Sequence, residues 1–90
     1  MNHTFRKVWA DFDPEATTFI NIVDIREFLF KLGAPLGFDQ TYKQDKFLQD
    51  KFIASLDLPI YYEFSKYQFL DVLEGLSFRL MVLDHIKQLS

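Results

Sequence analysis

The sequence has no cysteine, three glycines, three prolines, two methionines and no run of basic residues. Each scarcity excludes something. Without cysteine there is neither a disulfide framework nor a thiolate metal site. Without a basic stretch, and with a net charge of −3, nucleic acid is not an expected partner. No apolar run approaches the ~20 residues of a membrane-spanning helix. The opening residues are too polar for a secretory signal, so a cytosolic setting is expected. What the sequence has in plenty is aromatic residues, 11 Phe, 4 Tyr and 1 Trp within 49% hydrophobic content. That is more than one small core needs, and it points to a surface that docks on other protein.

Four segments carry apolar residues at helical spacing. Phe5, Val8, Trp9 and Phe12 form the first stripe, and Ile25, Phe28, Leu29 and Leu32 the second. Leu48, Phe52 and Leu56 form the third, and Phe69, Val72, Leu73, Leu76, Leu80 and Leu83 the fourth. "GAPLGFD", residues 33–39, must end the second helix, with Gly33 as its cap. Asp39 or Thr41 is expected to start the third helix.

Two helix starts share one design. In "INIVDI", residues 20–25, Asn21 is placed as N-cap, Asp24 as the third helical residue, and Ile20 with Ile25 as a hydrophobic staple. In "FSKYQF", residues 64–69, Ser65, Gln68, Phe64 and Phe69 take the same roles. In an EF-hand loop the ninth position is such an N-cap, and the eighth pairs with its twin in a second loop. Counting back gives loops beginning at Asp13 and Asp57, with Ile20 facing Phe64. The expected fold is all-α: two EF-hand-like helix–loop–helix units, about 3–32 and 41–89, in one domain of residues 1–90. A minimal two-residue β ladder joins the loops.

Calcium takes six to eight oxygens, chiefly from loop positions 1, 3, 5, 7, 9 and 12. The first loop offers Asp13, Glu15, Thr17, the Phe19 carbonyl, Asn21 and Asp24. Against it stand a β-branched Thr18 where a left-handed residue is required, and an Asp24 too short to reach with both oxygens. The expectation is therefore a vestigial site that binds calcium weakly if at all. Asp13 and Asp24 then serve to cap helices and shape the turn. The second loop, with Pro59 and Tyr61 at ligand positions and Gln68 at the last, reads as structural.

Trp9, Phe12-Asp13-Pro14-Glu15-Ala16, Asp24 and Pro35-Leu36-Gly37-Phe38 resemble the segment that follows the last pore helix of voltage-gated calcium channels. The "DLP" at 57–59 is closer to the second hand of voltage-gated sodium channels. The resemblance covers roughly residues 4–84 and fits a divergent member, a fungal plasma-membrane calcium channel first, with the sodium-leak branch close to it. It implies a regulatory module on the cytoplasmic face of the plasma membrane, acting on gating or inactivation. Its implied partners are other cytosolic segments of the parent channel, and calmodulin through a downstream segment outside these residues. A calmodulin-type sensor would need two competent loops and a Met-rich groove, and the chain has only Met1 and Met81. His3 and His85 have no nucleophile or ligand cluster nearby in sequence, so no enzyme is expected. The fourth helix should keep an outer apolar face of Phe78, Met81, Val82, Leu83, Ile86 and Leu89, a docking surface and a cause of self-association.

Overall fold

The structure is a computed structural model that describes residues 2–89. Its order is α1 (Asn2–Phe12), β1 (Phe19–Asn21), α2 (Ile25–Leu32), α3 (Lys46–Ser55), β2 (Lys66–Gln68) and α4 (Phe69–Leu89). Short 3-10 turns at Ile22–Asp24 and Gln40–Tyr42 lead into α2 and precede α3. The expected all-α architecture with a minimal ladder is what forms. Four helices make two helix–loop–helix units, and β1 and β2 join their loops as an antiparallel pair.

The core is built from aromatic rings, because α1, α2 and α4 each bring one or two to the same place. Phe5 and Trp9 stack at 5.7 Å, and both meet Phe28 and Phe69 edge-to-face at 5.1–5.4 Å. Such pairs contribute about 0.5–1.5 kcal/mol each beyond the area they bury. Phe5, Phe28, Leu29, Ile20, Val72 and Leu76 are sealed from solvent. A second ring cluster lies under α3. Phe38, Tyr42 and Phe52 meet there at 4.9–5.4 Å.

The turn after α2 connects the two clusters. Gly33 ends the helix at φ 66°, the left-handed conformation that glycine adopts without strain. The chain then folds back so closely that a Cβ on Gly37 would lie 2.3 Å from the Leu29 carbonyl oxygen. That carbonyl accepts from both Gly33 N (3.1 Å) and Phe38 N (2.9 Å). Gly37 is therefore required by contact rather than by dihedral angle. The return delivers Leu36 and Phe38, both buried, into the core.

Two sequence expectations need correcting. The third helix begins at Lys46, not near residue 40. Asp39 caps only the 3-10 turn, accepting from Thr41 N, while Asp45 caps α3 by accepting from Leu48 N at 3.0 Å. The ladder also has a different register. Ile20 faces Tyr67, and Phe64 is 79% exposed at φ 65°. The strands are three residues each, with Phe19 opposite Gln68 and Asn21 opposite Lys66. Ser65 is not the N-cap of α4. Gln68 holds that place, its Oε1 accepting from Leu70 N (2.8 Å) and Asp71 N (3.3 Å). The staple is Tyr67 with Val72, both buried, so "YQFLDV" is the true counterpart of "INIVDI". Asp57 is thus not a first loop position in this register; its amide closes the end of α3 on Ala54 O.

Burial predicts how the two candidates for the cross-loop position should differ. Tyr67→Ala is expected to cost about 3–5 kcal/mol, as for other large buried rings. Phe64→Ala should change stability by no more than about 0.5 kcal/mol, as is usual on an exposed surface. Urea unfolding of both variants checks the register, and equal losses would contradict it.

Candidate functional site

The first loop runs from the end of α1 to the start of α2, and its geometry is organised by one carboxylate. Asp13 follows the last residue of α1 and is 7% exposed. Its Oδ1 accepts from Thr17 N (2.9 Å) and from the Thr17 hydroxyl (2.7 Å). Its Oδ2 accepts from Thr18 N (2.8 Å) and from the Trp9 indole Nε1 (3.2 Å). Burial alone works against the charged form. The Thr17 hydroxyl, the amides of Thr17 and Thr18 and the indole outweigh it, and hold the carboxyl below its ordinary value. The Thr17 oxygen in turn accepts from Phe19 N at 3.2 Å, which sets the first residue of β1.

To aim two successive amides at one carboxylate the chain must turn left-handed. Ala16 and Thr18 do so, at φ 53° and 74°. Thr18 adopts this turn despite the resistance expected of a β-branched residue. Its cost, of the order of 1–3 kcal/mol for a non-glycine residue, is offset by the Asp13 bonds and by Phe69 N donating to Thr18 O at 2.8 Å.

The other proposed ligands are placed as follows. Glu15 and Thr17 are on the solvent side of the loop. Phe19 belongs to β1, half-buried, its ring edge-on to Tyr61 and Tyr62. Asn21 does not cap with its side chain; its Oδ1 accepts from Lys66 Nζ across the ladder. Asp24 stands at the N-cap position of α2 with αR backbone and makes no side-chain cap bond. A cation at the loop centre would have to compete with four donors for Asp13. Among the described residues no group of three or more Asp, Glu or His is positioned to hold a metal ion.

The register of β2 also reassigns the second loop. With Tyr67 at the eighth position, the last position is Asp71, an acid that sequence reasoning passed over. It accepts from the Tyr61 hydroxyl at 2.8 Å, which raises the Tyr61 pKa. Ile60, Tyr62 and Phe64 then stand where ligands would be. Tyr62, Glu63 and Phe64 are all left-handed, at φ 53°, 56° and 65°, a tight turn closed by Lys66 N and Ser65 N on Tyr61 O. The missed signal was available: Gln68 with Asp71 repeats the cap-plus-acid spacing of Asn21 with Asp24.

Because the Asp13 carboxyl is held below its ordinary value, its stabilising effect is complete above the unfolded Asp pKa of about 4 and is lost as pH falls through the folded value. Asp13→Asn puts an NH2 among four donors and is expected to cost about 1–3 kcal/mol at neutral pH. Thermal melts from pH 7 to 2 should show a shallower acid limb in the variant. An unchanged limb would remove Asp13 from the acid response.

Residues 4–59, which hold most of α1, the Asp13 loop, α2, the Gly37 turn and α3, match the family described as "Voltage-dependent L-type calcium channel, IQ-associated". A stretch of 34 residues, 38% of the chain, is 47% identical to the dihydropyridine-sensitive L-type skeletal muscle calcium channel subunit alpha-1 of Cyprinus carpio. The chain spans only 2% of that relative's length. The family match covers more than half of the chain, and on that ground the chain belongs to the IQ-associated family of voltage-dependent L-type calcium channels.

Proposed function

We propose that the chain is a non-catalytic regulatory module of a voltage-gated calcium channel pore subunit. It sits on the cytoplasmic side of the plasma membrane and modulates gating or inactivation by protein contact. The observation that carries this reading is α4. Over its 21 residues only Val72 and Leu76 are fully buried. Phe78, Met81, Leu83, Ile86 and Leu89 are exposed around its later turns, Phe78 at 62% and Leu89 at 75%. A helix apolar on most sides is normally enclosed by further protein. No helix among the described residues is long and apolar enough to cross a membrane. The partners are neighbouring cytosolic segments of the channel, and calmodulin recruited by a segment downstream. A second copy can cover the same face when the domain is isolated.

A second reading, weak calcium binding in the first loop, is favoured by one observation. Ala16 and Thr18 already adopt the left-handed turn that such a loop needs. The ligands are Asp13, Glu15, Thr17, the Phe19 carbonyl, Asn21 and Asp24, and the four bonds to Asp13 keep the affinity low.

Voltage-clamp recording of the full-length channel separates the two. Phe78→Asp combined with Met81→Asp is expected to alter inactivation, and Glu15→Gln to leave it unchanged. The reverse pattern would transfer the function to the loop. Calcium titration followed at the Thr17 and Thr18 amides should give a Kd no tighter than about 10⁻⁴ M, the weak end of the EF-hand range. A micromolar Kd would overturn the contact-only reading.

A further inference from the structure

The face left open by α4 is not uniform. Where α4 passes α3, the two helices enclose a groove of about 440 Å³. Its floor is apolar, with Leu48, Phe52, Leu56, Phe78 and Val82 among its lining residues. No acidic side chain lines it, in a chain that carries 13 acids against 10 bases. Two cations do, Lys51 from α3 and Arg79 from α4.

Both cations are held on aromatic faces rather than by carboxylates. The Arg79 guanidinium lies 3.8 Å from the centre of the Phe52 ring, and its Nη2 donates to the Tyr42 hydroxyl at 3.2 Å. Lys51 Nζ lies over Phe47 at 5.6 Å. Among the described residues neither has a carboxylate within ion-pair distance. The acid that senses Arg79, Asp39, has one carboxylate oxygen engaged by the hydroxyl and amide of Thr41, and Arg79 is the weakest influence on it. Arg79 is thus pre-positioned by stacking and by one hydrogen bond, with donors of its planar fork left over for an incoming anion.

We infer that the α3–α4 groove receives an amphipathic helix whose apolar stripe is flanked by carboxylates, with Arg79 and Lys51 pairing those acids at the rim. The inference rests on the reading that the domain works by protein contact, and it specifies the chemistry of the partner. Three observations argue for a helix of this charge. The groove lies between two helices and is concave, the shape that accepts a third helix by its i, i+3, i+4 anchors. Its charge is opposite to the net charge of −3 of the whole chain, so the complement of the groove is acidic. The two cations stand at one groove rather than spread over a flat surface, which suits a narrow ligand better than an anionic membrane.

The test uses the whole 90-residue chain and two designed peptides about 18 residues long, enough to form a helix on binding. One has a leucine stripe flanked by glutamates. Its twin has lysines in their place. Fluorescence anisotropy at low salt is expected to show the acidic peptide binding about tenfold tighter than the basic twin, with the difference shrinking as salt rises. Lys51→Glu and Arg79→Gln should each remove most of that difference. Lys51 is exposed, so its variant carries the test if Arg79→Gln loses its fold through the Phe52 contact. Equal binding of the twins would overturn the inference while leaving the contact reading intact. Binding of neither peptide would overturn it as well. Binding to phosphatidylserine vesicles but not to the acidic peptide would overturn it in favour of a membrane surface. Failure of the contact reading itself shows separately, as unchanged inactivation in the Phe78 and Met81 channel variant.

Discussion

The carboxylate of Asp13 is the constraint on which the rest of the loop region depends. It is nearly buried and charged, and that combination is tolerated only because four donors converge on it. One donor is the indole of Trp9, which belongs to the aromatic core, so the same group ties α1 to the loop and the loop to the core. The amides of Thr17 and Thr18 can reach it only if the chain turns left-handed, which determines where β1 begins. Through Ile20 and its partner Tyr67, that position determines how the second helix–loop–helix unit is set against the first.

The arrangement has a consequence for ion binding. In a loop built for calcium, a first-position carboxylate is shared between amides and the metal. Here a threonine hydroxyl and an indole N–H take the remaining acceptor capacity. The loop keeps the dihedral angles of a binding loop while its central acid is already satisfied. The second loop is arranged similarly, with the Tyr61 hydroxyl on Asp71. In each loop an internal donor is bound to an acid at a ligand position.

The two aromatic clusters differ in how they are enclosed. The ring group around Phe5, Trp9, Phe28 and Phe69 is enclosed by three helices. In the group around Phe38, Tyr42 and Phe52 the rings of Phe38 and Phe52 are buried, and Tyr42 and Phe52 also line the groove that holds Arg79 and Lys51. The close turn at Gly37 delivers Phe38 to this second cluster. A residue with a Cβ at position 37 would press on the Leu29 carbonyl and disturb both clusters at once.

Helix periodicity and the breaker segment after α2 were legible in the sequence, because they rest on local rules of spacing and dihedral preference. So was the outer apolar face of α4, since its residues exceed what one stripe can bury. The cap expected of Asn21 was not: α2 starts one 3-10 turn later, with Asp24 at its N-cap position, and the Asn21 side chain accepts from Lys66 instead. The start of α3 was not legible: Asp39, Thr41 and Asp45 are all competent caps, and packing of Phe38 and Tyr42 on Phe52 selects the last. The register of the second loop was not legible either. Phe64–Ser65–Gln68 and Tyr67–Gln68–Asp71 both satisfy the local pattern, and they differ by three residues, nearly one helical turn. Only pairing with β1, which buries Tyr67 and Val72 and leaves Phe64 in water, distinguishes them. The sequence by itself determined the elements and the acid at the centre of the first loop. The tertiary structure decided which of two equivalent local motifs is used, because the free energy separating them lies in burial against residues distant in the chain.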